Sequence, residues 1–311
     1  MKEVSIKKYA LKGVIELCSA LKWLECFFYY LFMRKKIILI RAAVIYRFGK
    51  VKHFNWGDDI NFYFLSLISR KKIVFIPHGK IAEIFPIPCY LGIGSIISFY
   101  NLNKTTILGS GIINNSDARK IKGTPAKICF VRGPKTRTAL IEHGINCPEN
   151  YGDLALALPL YYKPIVNKKY KLGIVLHLLD EKLESVQYIQ SMYQDIKFIH
   201  MNDYVKWTDV IDEINSCEII LSSALHGLIV SEAYKICCKW IAFEDSYHST
   251  PGYEFKYLDF YASIEKTEEK PIKIDKKTNL YTLAKNIKES WTPNSFDARK
   301  VIEYLPTEFR D

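Results

Sequence analysis

The chain has 311 residues, 49% of them apolar, and carries 44 Lys+Arg against 33 Asp+Glu for a formal net charge of +11. That composition excludes wholesale disorder and supplies a large core, and the length suits two compact domains. The basic residues fall in short clusters such as Arg34-Lys35-Lys36, Arg70-Lys71-Lys72 and Lys276-Lys277. Such clusters fit anionic substrates or an anionic membrane surface; no zinc-finger spacing or RNA-binding sheet signature points to nucleic acid.

Residues 1–36 form an apolar N-terminal helix. Glu16, Lys22 and Glu25 interrupt it, and a membrane-spanning helix needs about 20 nearly uncharged residues. Two readings stay open. The helix lies on an anionic bilayer through Trp23, the aromatics Phe27 to Tyr30 and the following Arg-Lys-Lys, or it packs one face on the core. No secretory pattern is present, so the expected location is cytoplasmic, peripheral at the inner face of the plasma membrane in the first reading.

Residues 37–162 read as a first Rossmann-like domain. "KKIILIRAAVIY" is a strand, "INFYFLSLI" a helix with Asp58 or Asp59 near its cap, and "KKIVFIP" a strand. "YLGIGSII", "TTILGSGII" and "AKICFVRG" read as short strands running into glycine loops. "PKTRTALIEHG" is a helix with Pro134 in its first turn and Gly144 past its end. "LPLYYKPIVNKKYK" links to a second unit, residues 168–290, where "KLGIVLHLL", "DIKFIHM", "CEIILSS" and "CKWIAFE" are strands alternating with helices. Residues 291–311 add a helical segment. The alternation predicts an α/β fold: two Rossmann-like domains facing a central cleft, with ligands at the C-terminal strand ends. Eight cysteines, none in a CxxC, read as small buried hydrophobes of a reducing compartment. No HxxxH or HExxH spacing occurs, so no metal is predicted.

Several loops carry candidate chemistry. In "FVRGPKT", Arg132 enters a loop before a helix N-terminus, with Lys135 and Arg137 close by. This suits an anion, or else the arginine pairs with a carboxylate. In "ILSSALHGLIVSEAY", Ser222 and Ser223 occupy a strand-to-helix turn and His226 the first helical turn, where it either transfers protons or caps a neighbour. Gly109, Ser110 and Gly111 allow close backbone approach. His177 ends a strand beside Asp180. "GYEFKYLDFY" offers Lys256 and Asp259 in a substrate wall or a solvated loop. "FNWGDDINFYF" places Asn55, Gly57 and Asp58 in a helix cap, a metal site or a pocket.

In chain order, "NWGDDIN", "ILGSGI", "VRGPKTRTALIEHGI" with "YGDLALALP", "LGIVLHLLDE", "LSSALHGLIVSEAY" and "GYEFKYLDFY" resemble the polysaccharide pyruvyl transferases over about residues 55–261. The resemblance implies a GT-B-like fold. It implies transfer of pyruvate from phosphoenolpyruvate, the donor substrate and not a cofactor, onto a sugar as a ketal bridging two hydroxyls. The acceptor is then a glycan of a capsule or exopolysaccharide, or its lipid-linked precursor. The family's donor contacts fall on Arg132, Leu225 and His226, with Ser223 and Gly227 in the same motif, and His226 takes the role of general acid. Asp58 or His177 is the candidate base. Asn55, Gly57 and Asp58 face the acceptor, and the loop of Ser110 and Gly111 brings the protein backbone close to the ligand. Ala224 stands where some members have an arginine, so a second cation must come from Lys256 or Lys135. Two competing readings are a nucleotide-sugar-dependent GT-B glycosyltransferase and a non-catalytic scaffold.

Overall fold

A computed structural model describes residues 2–246 and 252–309, with side chains from Leu11 onward. Helix α1 (Lys2–Phe32) leads into β1 (Ile37–Arg41), five consecutive buried residues. Such a run is the mark of a strand covered on both faces. The expected long strand stops at Arg41, whose buried guanidinium donates to Ala82 O (3.1 Å) and lies over the Tyr100 ring. The rest of that run forms an antiparallel hairpin, β2 (Ile45–Arg47) and β3 (Lys50–Lys52), turned by Phe48 and Gly49, both at positive φ. Then follow α2 (Trp56–Ser69), β4 (Lys72–Phe75), α3 (Lys80–Ile84), β5 (Cys89–Leu91), β6 (Thr105–Leu108), α4 (Asn115–Ala118), β7 (Lys127–Phe130) and α5 (Pro134–Glu142).

After α6 (Leu158–Tyr161), a second series runs β8 (Tyr170–Leu176), α7 (Glu184–Met192), β9 (Lys197–His200), α8 (Asp209–Asn215), β10 (Cys217–Ser222), α9 (Leu225–Ala233) and β11 (Cys237–Phe243). It continues with α10 (Phe255–Ser263), β12 (Ile272–Ile274), α11 (Leu280–Ser290) and α12 (Arg299–Glu303). Sequence reading took the α10 segment for a wall or loop. Its aromatic residues instead pack as the buried side of a helix, with Tyr257, Phe260 and Tyr261 all buried.

The fold is mixed α/β, with two five-stranded sheets whose strands all pair in parallel. Their orders are β4-β1-β5-β6-β7 and β12-β11-β10-β8-β9. Numbered within each sheet, both read 2-1-3-4-5, the flavodoxin-like doubly wound order. The chain therefore reverses direction across the sheet at β1/β5 in the first and at β8/β10 in the second. One hydrophobic cluster joins the halves. It runs from Ile38, Ile60 and Phe64 through Leu154–Leu158 to Ile214, Leu228, Tyr257 and Leu305. The last residues return to the first half, where Tyr304 packs on Phe130 and Phe309 on Tyr90.

The inner side of α1 packs on the core. Ser19, Trp23 and Cys26 are buried, and Trp23 Nε1 donates to Phe85 O at 3.0 Å. None of the described helices is long and apolar enough to cross a membrane. Phe64, fully buried in the shared cluster, tests the core. Phe64→Ala is expected to lower the unfolding free energy by about 3–5 kcal/mol in urea titration, through lost transfer energy and the cavity left behind.

Candidate active site

The two switch points face each other across a cavity of about 190 Å³. Loops after β1, β5 and β6 supply Ala43, Ser95, Ile96, Phe99 and Ile113, and the start of α2 supplies Asn55 and Asp58. From the second half come His177 and Leu178 after β8, Met201 after β9, and Ala224, Leu225 and His226 after β10; α10 adds Lys256. Every loop lies at the C-terminal end of a parallel strand, where such sheets bind ligands.

The "NWGDD" stretch divides its two carboxylates between different tasks. Asp59 is buried and accepts from Phe54 N (2.9 Å), Asn55 N (3.1 Å) and Tyr204 Oη (2.6 Å), with His53 Nδ1 at 2.8 Å. It reaches back to the backbone before the helix, in the manner of a capping box. Asp58 turns to the cavity and accepts from Asn55 Nδ2 at 2.5 Å. Burial pushes its carboxyl up to about 7; the Asp59 charge adds to this, while the Asn55 bond and Lys256 oppose it. Gly57 lies against the imidazole of His226, and a Cβ at this position would overlap that ring.

His226 is in the first turn of α9, whose N-cap Ala224 supplies no side-chain cap. The first N–H groups of such a helix have no intrahelical acceptor and present the positive end of its dipole. His226 Nε2 is buried with no hydrogen-bond partner. Burial, then the charges of Lys256 and Arg132, lower the imidazole to about 3. The ring is therefore neutral in the protein by itself. Lys256 is buried, with Nζ over the Tyr257 and Tyr253 rings. Burial and Arg132 pull its ammonium down to about 8, against the pull of Asp58 and Asp180. His177 Nδ1 accepts from Leu179 N at 3.2 Å.

Arg132 is placed otherwise than expected for a donor contact. It is fully buried: Nε donates to Asp259 Oδ2 at 3.1 Å, one terminal nitrogen to Ser95 Oγ, and the other to Ile112 O at 2.6 Å. Asp259 also accepts from Thr136 N (2.9 Å) and Thr136 Oγ1 (2.6 Å) in the first turn of α5. The anion at this helix N-terminus is the protein's own carboxylate. Of the two sequence readings, pairing with a carboxylate is the one found. The Arg132 charge still reaches the cavity, since it depresses both His226 and Lys256.

Of the two candidate second cations, Lys256 enters the cavity and Lys135 does not. Lys135 is exposed and lines a separate groove with Arg119 and His143. Ser110, Gly111, Ser223 and Gly227 support the cavity without lining it. Ser110 Oγ donates to Gly94 O at 2.9 Å, and Gly111 makes room for the Arg132 guanidinium. Ser223 Oγ accepts from His177 N (3.0 Å), and its carbonyl from Tyr257 Oη (2.6 Å). Gly227 makes room for Ser222 and Val175. Ser95 was missed. It lines the cavity and touches Arg132, and its only sequence signal was the "GIGS" loop.

A sequence profile of the polysaccharide pyruvyl transferases matches residues 18–246. The match covers most of the chain, and the protein belongs to that family. It begins inside α1, ahead of the motifs, and ends before α10; α1 packs on β1, so its second half is part of the first α/β unit. An uncharacterized protein, L143, of Acanthamoeba polyphaga mimivirus is 28% identical over 221 residues, 68% of this chain and 71% of that protein.

The Arg132–Asp259 pair gives a direct test. Asp259→Asn leaves a buried guanidinium without its counter-charge, which typically costs about 3–5 kcal/mol. Arg132→Met combined with Asp259→Leu is expected to recover much of that loss in chemical denaturation, because neither charge is then left alone.

Proposed function

We propose that the protein transfers pyruvate from phosphoenolpyruvate onto two hydroxyls of a sugar, on a surface polysaccharide or its lipid-linked precursor. The observation that carries this reading is one small cavity lined by His226, whose Nε2 is buried without a partner, by a buried lysine and by Asp58, beside an uncapped helix N-terminus. A helix N-terminus and a buried cation suit a small phosphorylated acid. The volume favours it as well, since about 190 Å³ lies below the roughly 300–1,000 Å³ of sites for drug-sized ligands, and a nucleotide sugar is of that larger size. In this reading the two α/β units act as GT-B-like domains: residues 37–162 on the acceptor side, residues 168–290 on the donor side.

Lys256 and the N–H groups of Leu225 and His226 hold the phosphate and carboxylate of the donor. Ser95 is the donor's link to the Arg132 charge. A bound polyanion raises the pKa of any base beside it, so the donor itself charges His226. The imidazolium then gives its proton to the methylene carbon, and C2 becomes electrophilic. A sugar hydroxyl adds to C2. The phosphate C–O bond breaks, and the second hydroxyl closes the ketal. Two protons leave the hydroxyls; one replaces that given by His226 and the other ends on phosphate. Asp58, beside Asn55 at the acceptor side, takes them. His177, which lines the same cavity, is the alternative base.

His226→Gln is expected to lower ketal formation, followed by phosphate release and the pyruvate mass gain on the glycan, by about 10²-fold or more at an unchanged melting temperature. Near-normal turnover contradicts the role. Phosphoenolpyruvate is expected to raise the melting temperature, where a panel of nucleotide sugars does not.

The pH dependence follows from Asp58. As the base it must be ionised, so with the donor bound and His226 charged kcat is expected to rise with pH through the neutral range, and Asp58→Asn to lose that limb with most of its rate. Stability moves the other way. A carboxyl whose folded pKa lies above its unfolded value favours the fold below the unfolded value and loses that contribution as pH rises through about 7. Asp58→Asn is therefore expected to be more stable than the parent above neutrality, with the difference fading toward pH about 4.

A further inference from the structure

We propose that the outer face of α1, with the adjoining β2–β3 hairpin and the tip of α3, is a docking surface for an anionic lipid bilayer. The proposal is independent of the chemistry assigned to the cavity. Helix α1 has two apolar faces. Ser19, Trp23 and Cys26 are buried on the protein's own core. On the other side Leu11, Val14, Leu17, Leu21, Leu24, Phe28, Leu31 and Phe32 are exposed, at 44% for Leu11 up to 70% for Phe32. A stripe of this size is rare on a surface meant only for water. Trp23, the anchor expected from the sequence, is spent on the core; Phe27, Phe28 and Phe32 stand outside instead.

The surface extends beyond the helix. Helix α1 packs against α3 and β2. At the end of α3, Ile84 and Phe85 are 67% and 60% exposed, and Phe85 meets Trp23. On the hairpin, Ile45 and Phe48 are exposed.

The charges beside this apolar ground are mainly basic; Glu83, on the tip of α3, lies 3.6 Å from His78 Nδ1. Arg34, Lys35 and Lys36 are exposed directly after Phe32. Arg47, Lys50 and Lys52 are exposed on the hairpin, and residues 45–52 contain no acid. From residue 11 onward α1 has two acids, both engaged: Glu25 pairs with Lys22 at 2.8 Å, and Glu16 accepts from Lys80 N at 3.3 Å. Exposed Leu and Phe flanked by basic residues, on a helix that does not span, are the features of a helix lying in the interface of an anionic membrane. A second copy of this chain would answer the apolar stripe, whose Val14, Leu17, Leu21, Leu24, Phe28 and Leu31 alternate by three and four. It would leave the two basic clusters unanswered.

The test is flotation of the full chain with vesicles of phosphatidylcholine alone and of phosphatidylcholine mixed with phosphatidylglycerol. The chain is expected to float with the mixed vesicles, much less with the neutral ones, and to be released in salt of about 1 M, where charges are screened beyond about 3 Å. Leu24→Asp with Phe28→Asp is expected to abolish flotation at an unchanged thermal transition. Replacing Arg34, Lys35 and Lys36 by Gln is expected to weaken binding about fivefold per charge removed. If the helix variant does not fold, Phe48→Asp on the hairpin takes its place, with weakened flotation expected. The proposal is overturned if the parent fails to float with mixed vesicles at low salt, or if these variants float as the parent does. It is equally overturned if the parent sediments as a dimer that ignores vesicles and the helix variant sediments as a monomer.

Discussion

The Arg132–Asp259 pair, buried on both sides, is the constraint on which the rest of the site depends. Arg132 leaves the end of the first sheet, and Asp259 sits on α10 of the second half. Their contact caps α5, fixes Ser95, and sets α10 so that Lys256 enters the cavity three residues before Asp259. Two charges are removed from water at considerable cost, and the extra bonds from Thr136, Ser95 and Ile112 O offset it. Gly133 and Gly111 are the local conditions for this. A Cβ at Gly133 would overlap the Asp259 backbone, and one at Gly111 the guanidinium.

From that pair the electrostatics of the cavity follow. A fixed positive charge sits just behind the wall. It depresses Lys256 and His226, already lowered by burial. The protein by itself thus holds a neutral imidazole, a lysine close to losing its proton and an aspartate close to gaining one. Such a set responds strongly to an added anion, because each group has been moved away from its charged form by burial. The two sheets supply the geometry: both have the same strand order, and their switch points face one cavity.

Much of this was legible in the sequence. Nearly every strand of both sheets could be placed from β-branched runs and glycine punctuation, and six cavity residues (Asn55, Asp58, His177, Leu225, His226 and Lys256) were named from their loops. His177, Leu225 and His226 follow strands of a parallel sheet, so their location at the ligand edge is a consequence of topology. The partner of Arg132 was not legible. Asp259 lies 127 residues away, and local patterning carries no information about contacts at that range. Helix α10 was obscured by its aromatics, which read as a wall because their helical spacing is dense. Lys135 and Arg132 are three residues apart, yet the helix turn between them sends one to solvent and the other into the core.

In the proposed mechanism a bound anionic donor charges His226. Nitrogen NMR of the protein labelled at histidine follows the protonation of the His226 ring during a phosphoenolpyruvate titration, assigned by loss of the signal in His226→Gln. By itself the ring is expected to stay neutral down to pH about 3. With saturating phosphoenolpyruvate its titration is expected to move up by several pH units, into the range where the imidazolium exists at neutral pH. A ring that stays neutral near pH 6 with the donor bound would contradict the account.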